Sequence, residues 1–215
     1  MSFYIHKGNI PPKRHTVFKH KNKLVYEQHV SREGFSGTYS NMYHLSMPTQ
    51  LSKVGNFKKI TIEKAIDKHQ TRHLKTFEIK KNGNAIDSRV PIFFNNDIII
   101  SVSHINKNMD FLYRSAHFDE LLYVQYGSGT IITNFGNLEY KNGDYIIIPK
   151  GVIWKLDYKK ETKLLVIESS SAIETPKKYR NRFGQLLESS PFCERDIKVP
   201  SFVDPINKKG DFLIK

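Results

Sequence analysis

From about residue 74 to residue 168 the chain is a series of short apolar runs separated by polar punctuation. The runs are HLKTFEI, VPIFF, DIIISVSH, ELLYVQY, GTIITNF, YIIIP, IWKLDY and KLLVIES. They are rich in Ile, Val, Phe, Tyr and Thr, which suit a pleated, half-buried surface. Asn82-Gly83, Asn95-Asn96-Asp97, Gly127-Ser128-Gly129, Gly136-Asn137 and Asn142-Gly143-Asp144 supply turn signals between them. Short strands at this spacing predict an antiparallel sandwich or barrel. A parallel βαβ sheet needs helical crossovers, for which these intervals leave no room.

The flanks read differently. Residues 1–60 are interrupted by Pro11-Pro12, Gly34, Gly37, Pro48 and Gly55, which predicts an extended arm with short strands. Its apolar stretches, HTVF and YSNMYHL, need a surface to lie on. Residues 61–73, TIEKAIDKHQTRH, are the best helix segment: Ile62, Ala65 and Ile66 share one face, and Thr61 can cap it. From residue 169 onward Pro176, Pro191, Pro200 and Pro205 break the chain into loops. The expected organisation is an arm over 1–60, a barrel with a short leading helix over 61–168, and a loop-rich segment over 169–215.

Composition narrows the function classes. The 215 residues carry a net charge of +13 and a single cysteine. No window approaches 18 consecutive apolar residues and the N-terminus lacks the apolar core of a secretory signal, so a soluble, cytoplasmic protein is expected. One cysteine excludes an internal disulfide framework. The basic residues are scattered in short runs such as Lys19–Lys23, Lys58-Lys59 and Lys177-Lys178, with no accompanying nucleic-acid motif. A solvated lysine-rich surface is the expectation, and nucleic-acid binding is not.

The barrel region holds a more specific pattern. Glu120 is followed by six residues and Gly127; later come Gly143, five residues, then Pro149-Lys150-Gly151. This spacing is similar to the two-part cupin signature, in which each Gly turns a corner and Pro enters an edge strand. The implied fold is a cupin-type double-stranded β-helix, or jelly roll, in an all-β protein. Metal-binding cupins add a His-x-His pair before the Glu and a third His after the second motif. Here the pair falls on Arg114 and Ala116, or on Tyr113 and Ser115 with a gap one longer, and the third on Trp154. His117 is one residue out of register, which in a strand points it to the other face. One surviving carboxylate is too few for a transition-metal site, so no metal is expected here, with Trp154 filling its place.

Other groups carry less. His69 and His73 have the spacing of a zinc helix, but no third ligand is evident. Cys193, in SPFCERD, has no assignable base and reads as a buried or half-buried structural thiol. No phosphate-binding glycine loop or nucleophile elbow occurs.

Longer strings carry a family resemblance. They are KRHTVF (13–18), EGFSGTYSNMYHLSMPTQ (33–50), TRHLKTFEI, the run from LYRSAHF to IIIPKG, and LLVIESSSAIETPKKYRNRFGQLLESSPFCERD (164–196). Together they resemble the N-terminal part of the shorter bacterial homogentisate 1,2-dioxygenases. The resemblance implies a non-haem Fe(II) enzyme of tyrosine and phenylalanine breakdown. Such an enzyme opens homogentisate with O2 to maleylacetoacetate and assembles as a trimer or hexamer. It implies a double cupin whose iron ligands and catalytic His lie in a C-terminal half, beyond the GDFLIK at which this sequence stops. No position in 1–215 matches the ligand motif, so the resemblance assigns no catalytic, cofactor-binding or metal-binding residue here. The rival expectation is a standalone, non-catalytic cupin for a small ligand or protein partner.

Overall fold

A computed structural model describes residues 17–65, 70–204 and 210–215. The arm begins with a hairpin of β1 (Lys19–His20) and β2 (Lys23–Leu24), turned by Lys21 and Asn22 at φ of 48° and 61°. Two successive positive φ values match the twist of the flanking strands. A larger hairpin follows, β3 (Tyr26–Glu33) with β4 (Ser36–His44), turned at Gly34-Phe35. Residues 45–65 and 70–75 then contain no strand or helix.

The helix expected over 61–73 is corrected by the structure. Its described ends, 61–65 and 70–73, are irregular, and 66–69 lie outside the described residues. Three apolar positions on so short a segment are too few to offset the cost of helix nucleation. HLKTFEI also fails as a strand: Thr76–Glu78 form a 3₁₀ turn closed by Glu78 N–H donating to Lys75 O at 3.1 Å. Asn82-Gly83 is not a hairpin turn. It is β5 (Asn82–Gly83), which pairs in parallel with the strand at 98–105.

The remaining strands are β6 (Val90–Phe94), β7 (Ile98–Ile105), β8 (Asp119–Thr133), β9 (Gly136–Lys141), β10 (Tyr145–Ile148) and β11 (Trp154–Ser169). With β5 they form a seven-stranded sheet, β10-β8-β11-β7-β5, in which β6 also pairs with β7 and β9 with β8. Two pairs of expected runs merge: ELLYVQY with GTIITNF into β8, and IWKLDY with KLLVIES into β11. The first half of β8 pairs with β10, the second half with β9, and both halves with β11.

Between the halves the β8–β11 ladder slips at Tyr158/Lys160, Lys160/Lys163 and Lys163/Leu164. Gly127 sits opposite with φ 104°, where a Cβ would collide with Glu161 O, and a Cβ on Gly129 would collide with Asp157 O. Such slips bend a strand pair. The bend folds one hydrogen-bonded sheet into two facing layers. Leu122, Val124, Ile146, Leu164 and Val166 of one layer meet Ile131, Tyr140, Trp154 and Leu156 of the other in one buried cluster. This is the cupin-type jelly roll expected from the spacing.

The outer side of the first layer is apolar as well. Tyr145, Tyr123, Leu165 and Val102 stand in one cross-strand row, and Ile147, Leu121, Ile167 and Ile100 in the next. The C-terminal segment returns to the barrel. Ser201 and Asn137 exchange backbone hydrogen bonds of 2.7 and 2.9 Å, and Lys215 N–H donates to Leu112 O at 2.9 Å.

Candidate functional site

Alternation along β8 aims Glu120, Leu122 and Val124 into the barrel, and alternation along β11 aims Leu164, Val166 and Glu168 to the same side. Glu120 is therefore buried among hydrocarbon, with 1% of its surface exposed. Trp154, fully buried at the start of β11, donates its Nε1–H to Glu120 Oε2 at 3.0 Å. Arg89 Nη1 lies 2.7 Å from Glu120 Oε1 and 3.3 Å from Glu168 Oε1. Its Cζ lies 5.6 Å from the Tyr113 ring centroid, and that ring meets Trp154 edge-on at 5.7 Å. Tyr113 and Trp154 also exchange backbone hydrogen bonds of 2.8 and 2.9 Å.

A tight turn before β6 delivers Arg89. Asn84 Oδ1 accepts the N–H groups of Ile86 and Asp87, and Ser88 Oγ donates to Asn84 O at 2.8 Å. Ser88 and Ser103 hydroxyls, both buried, are 2.6 Å apart and tie the turn to β7. Arg89 Nε–H donates to Ala85 O at 3.0 Å. These contacts fix where the guanidinium can reach.

The electrostatics follow from burial. Desolvation opposes the charge on Arg89, but Glu120 and Glu168 outweigh it and hold its pKa above the ordinary value. Desolvation raises the Glu168 pKa; Arg89 offsets part of that rise and Glu120 adds to it. Tyr113 is pushed up to about 12, chiefly by burial and then by the charge of Glu120. Its hydroxyl stays protonated at neutral pH.

The sequence left two registers open for the missing histidine pair. The structure turns Ser115 inward and buried, with Tyr113 half-buried against Trp154, and leaves Arg114, Ala116 and His117 exposed. Ser115 Oγ accepts the Phe118 N–H at 3.0 Å. Of the two registers, the one with Tyr113 and Ser115 carries the more buried side chains, next to Glu120 and Trp154. An indole N–H offers no lone pair to a cation, and the Arg89 guanidinium repels one. Among the described residues no three His, Cys, Asp or Glu converge as metal ligands. The residues present do not fit Fe(II). His69 lies outside the described residues, His73 is exposed in irregular chain, and Cys193 is half-buried with its thiol donating to Asp196 Oδ2 at 3.6 Å.

A second buried carboxylate, Asp119, lies on the other side of β8 and has no motif in the sequence to mark it. Asp119, 1% exposed, accepts Arg32 Nη1–H at 3.0 Å, Lys150 N–H at 2.9 Å and Ile173 N–H at 2.9 Å. Arg32 belongs to β3, so this carboxylate joins the arm, the barrel and the segment after β11.

Residues 78–178 match the homogentisate 1,2-dioxygenase N-terminal family. A putative dioxygenase of Saccharolobus solfataricus is 41% identical over 202 residues, which are 93% of this chain and 52% of that protein. The match places residues 78–178 of the chain in the homogentisate 1,2-dioxygenase N-terminal family. The chain spans about half the length of the curated relative it matches. Solved cupins are similar to shorter stretches. A cupin-2 domain protein of Shewanella frigidimarina is 28% identical, covering 38% of this chain and 79% of its own, with a TM-score of 0.35. A cupin protein of Bacteroides fragilis is 16% identical, covering 53% and 94%, with a TM-score of 0.36. The chain is a cupin of a dioxygenase family. Among the described residues no helix is long and apolar enough to cross a membrane.

Proposed function

We propose that these residues are the structural N-terminal half of a homogentisate 1,2-dioxygenase, a cytoplasmic Fe(II) enzyme that cleaves homogentisate with O2 to maleylacetoacetate. One observation carries the reading: Glu120, the carboxylate of the cupin spacing, is met by Trp154 and Arg89 and by no set of metal ligands among the described residues, in a chain whose residues 78–178 match that family. A barrel so filled has no open coordination position for substrate or O2. Iron and the reacting atoms then belong to residues outside this chain.

The work left to this half is packing. Phe35, Leu51, Phe57 and Ile60 of the arm stand exposed, and the outer sheet face carries two apolar rows. Apolar surface of this kind fits a covered state in the whole enzyme, against the catalytic half and neighbouring subunits of a trimer or hexamer. No nucleic acid and no membrane partner is proposed.

The test is the mass and activity of the native protein from its source cells. The expected species is well above 25.0 kDa and consumes O2 with homogentisate, while the 215-residue chain alone does neither. A native species of 25.0 kDa without ring cleavage would instead mean a standalone, non-catalytic cupin.

A further inference from the structure

We propose that the guanidinium of Arg89 occupies the metal position of this barrel and serves as its permanent internal cation. Glu120 Oε1 at 2.7 Å and Glu168 Oε1 at 3.3 Å face it, as two carboxylates face a bound ion. Tyr113 offers its ring face at 5.6 Å, a favourable seat for a cation. Trp154 sits where the third histidine of a metal-binding cupin stands, and it donates to the same carboxylate.

Two details distinguish this from an ordinary surface ion pair. The Arg89 side chain is nine-tenths buried and Glu120 almost wholly so, so each charge depends on the other for compensation. The contact to Glu120 Oε1 is close but not aligned as a hydrogen bond. That oxygen and Arg89 Nη2 both lack hydrogen-bond partners among the described residues. The cluster is arranged around a charge more than around matched donors and acceptors. A tethered cation cannot be lost to a chelator, so the stability of this half is independent of metal supply. This inference concerns the chain's own residues and stands whether or not the proposed enzymatic role does.

The protein has a single tryptophan, Trp154, which reports on the cluster directly. The chain is titrated with Mn(II), Ni(II) and Fe(II) while Trp154 emission is followed, and bound metal is measured after desalting. The expected result is no saturable quenching, substoichiometric metal, and a melting midpoint unchanged by a chelator. One equivalent of bound metal with saturable quenching overturns the proposal. R89M leaves Glu120 buried without its cation, and its midpoint is expected to fall by roughly 10 °C. Adding E120Q to R89M removes the stranded charge and is expected to recover part of that fall. A double variant no more stable than R89M alone overturns the proposal, and so does R89M melting with the wild type.

Discussion

At the scale of single residues, two positions have outcomes that can be derived. Gly127 lies at φ 104° against the backbone of Glu161, so Gly127→Ala adds both backbone strain and a collision. A loss of about 3 kcal/mol is expected, read as a lower urea midpoint with an unchanged slope. Glu168 has a pKa raised above 4.5, with burial first among the causes. The group's contribution to stability is full below the unfolded value and is lost as pH rises through the higher folded value. Glu168→Gln should therefore match the wild type near pH 4 and gain on it progressively above about pH 4.5. Urea titrations at several pH values check this; a difference that does not change with pH would contradict it. Gly127, Arg89 and Glu168 differ in how far the sequence shows them. Gly127 was legible because its spacing from Glu120 is a fixed property of the corner. Arg89 was not, because a guanidinium reaching in from an upstream turn leaves no periodic mark. Glu168 had a faint signal, its two-residue alternation with Leu164 and Val166.

At the scale of elements, the arm hairpin of β3 and β4 is secured to the barrel by Arg32 on Asp119. Arg32→Ala leaves Asp119 buried with only its two backbone donors, Lys150 and Ile173. A cost of about 1–3 kcal/mol follows. Faster proteolysis within residues 26–44 is the sign that the hairpin has come away; an unchanged cleavage pattern would show that the ion pair does not hold it. Strand positions with strong β-branched runs, such as β7 and β10, could be read directly. The weaker elements could not. Gly136-Asn137 reads as a turn signal and LEYK carries charge with little apolar alternation, yet the two-residue connection at Asn134-Phe135 returns Gly136–Lys141 beside β8 as β9. HLKTFEI has the strand composition without a free ladder to join. TIEKAIDKHQTRH has helical spacing, yet its described ends, 61–65 and 70–73, are irregular. In each case the missing information was the neighbour, which local sequence does not contain.

At the scale of the whole molecule, the jelly roll was legible from strand spacing and its corner glycines, whereas the apolar outer face was not, because alternation alone does not say how many layers cover a sheet. Phe57 is 97% exposed and Phe35 92%. The isolated chain is expected to bind a hydrophobic dye and to self-associate, and Phe57→Ser with Ile60→Ser should reduce both in sedimentation runs. Unaltered sedimentation would mean that the arm is not the adhesive surface. The net charge of +13 works against association, so the tendency should rise with salt. The order of strands has a last consequence, for the chain during its synthesis. The strand at the centre of the sheet, β11, is the last of the sheet strands to be made, and both its neighbours, β7 and β8, precede it. Translation from the end of β7 to the end of β11 takes roughly 3 to 13 s at ordinary ribosome speeds. Throughout that interval the isoleucine-rich edge of β7 has no central strand to join. Nascent chains should therefore depend on ribosome-associated chaperones until Ser169 has left the exit tunnel.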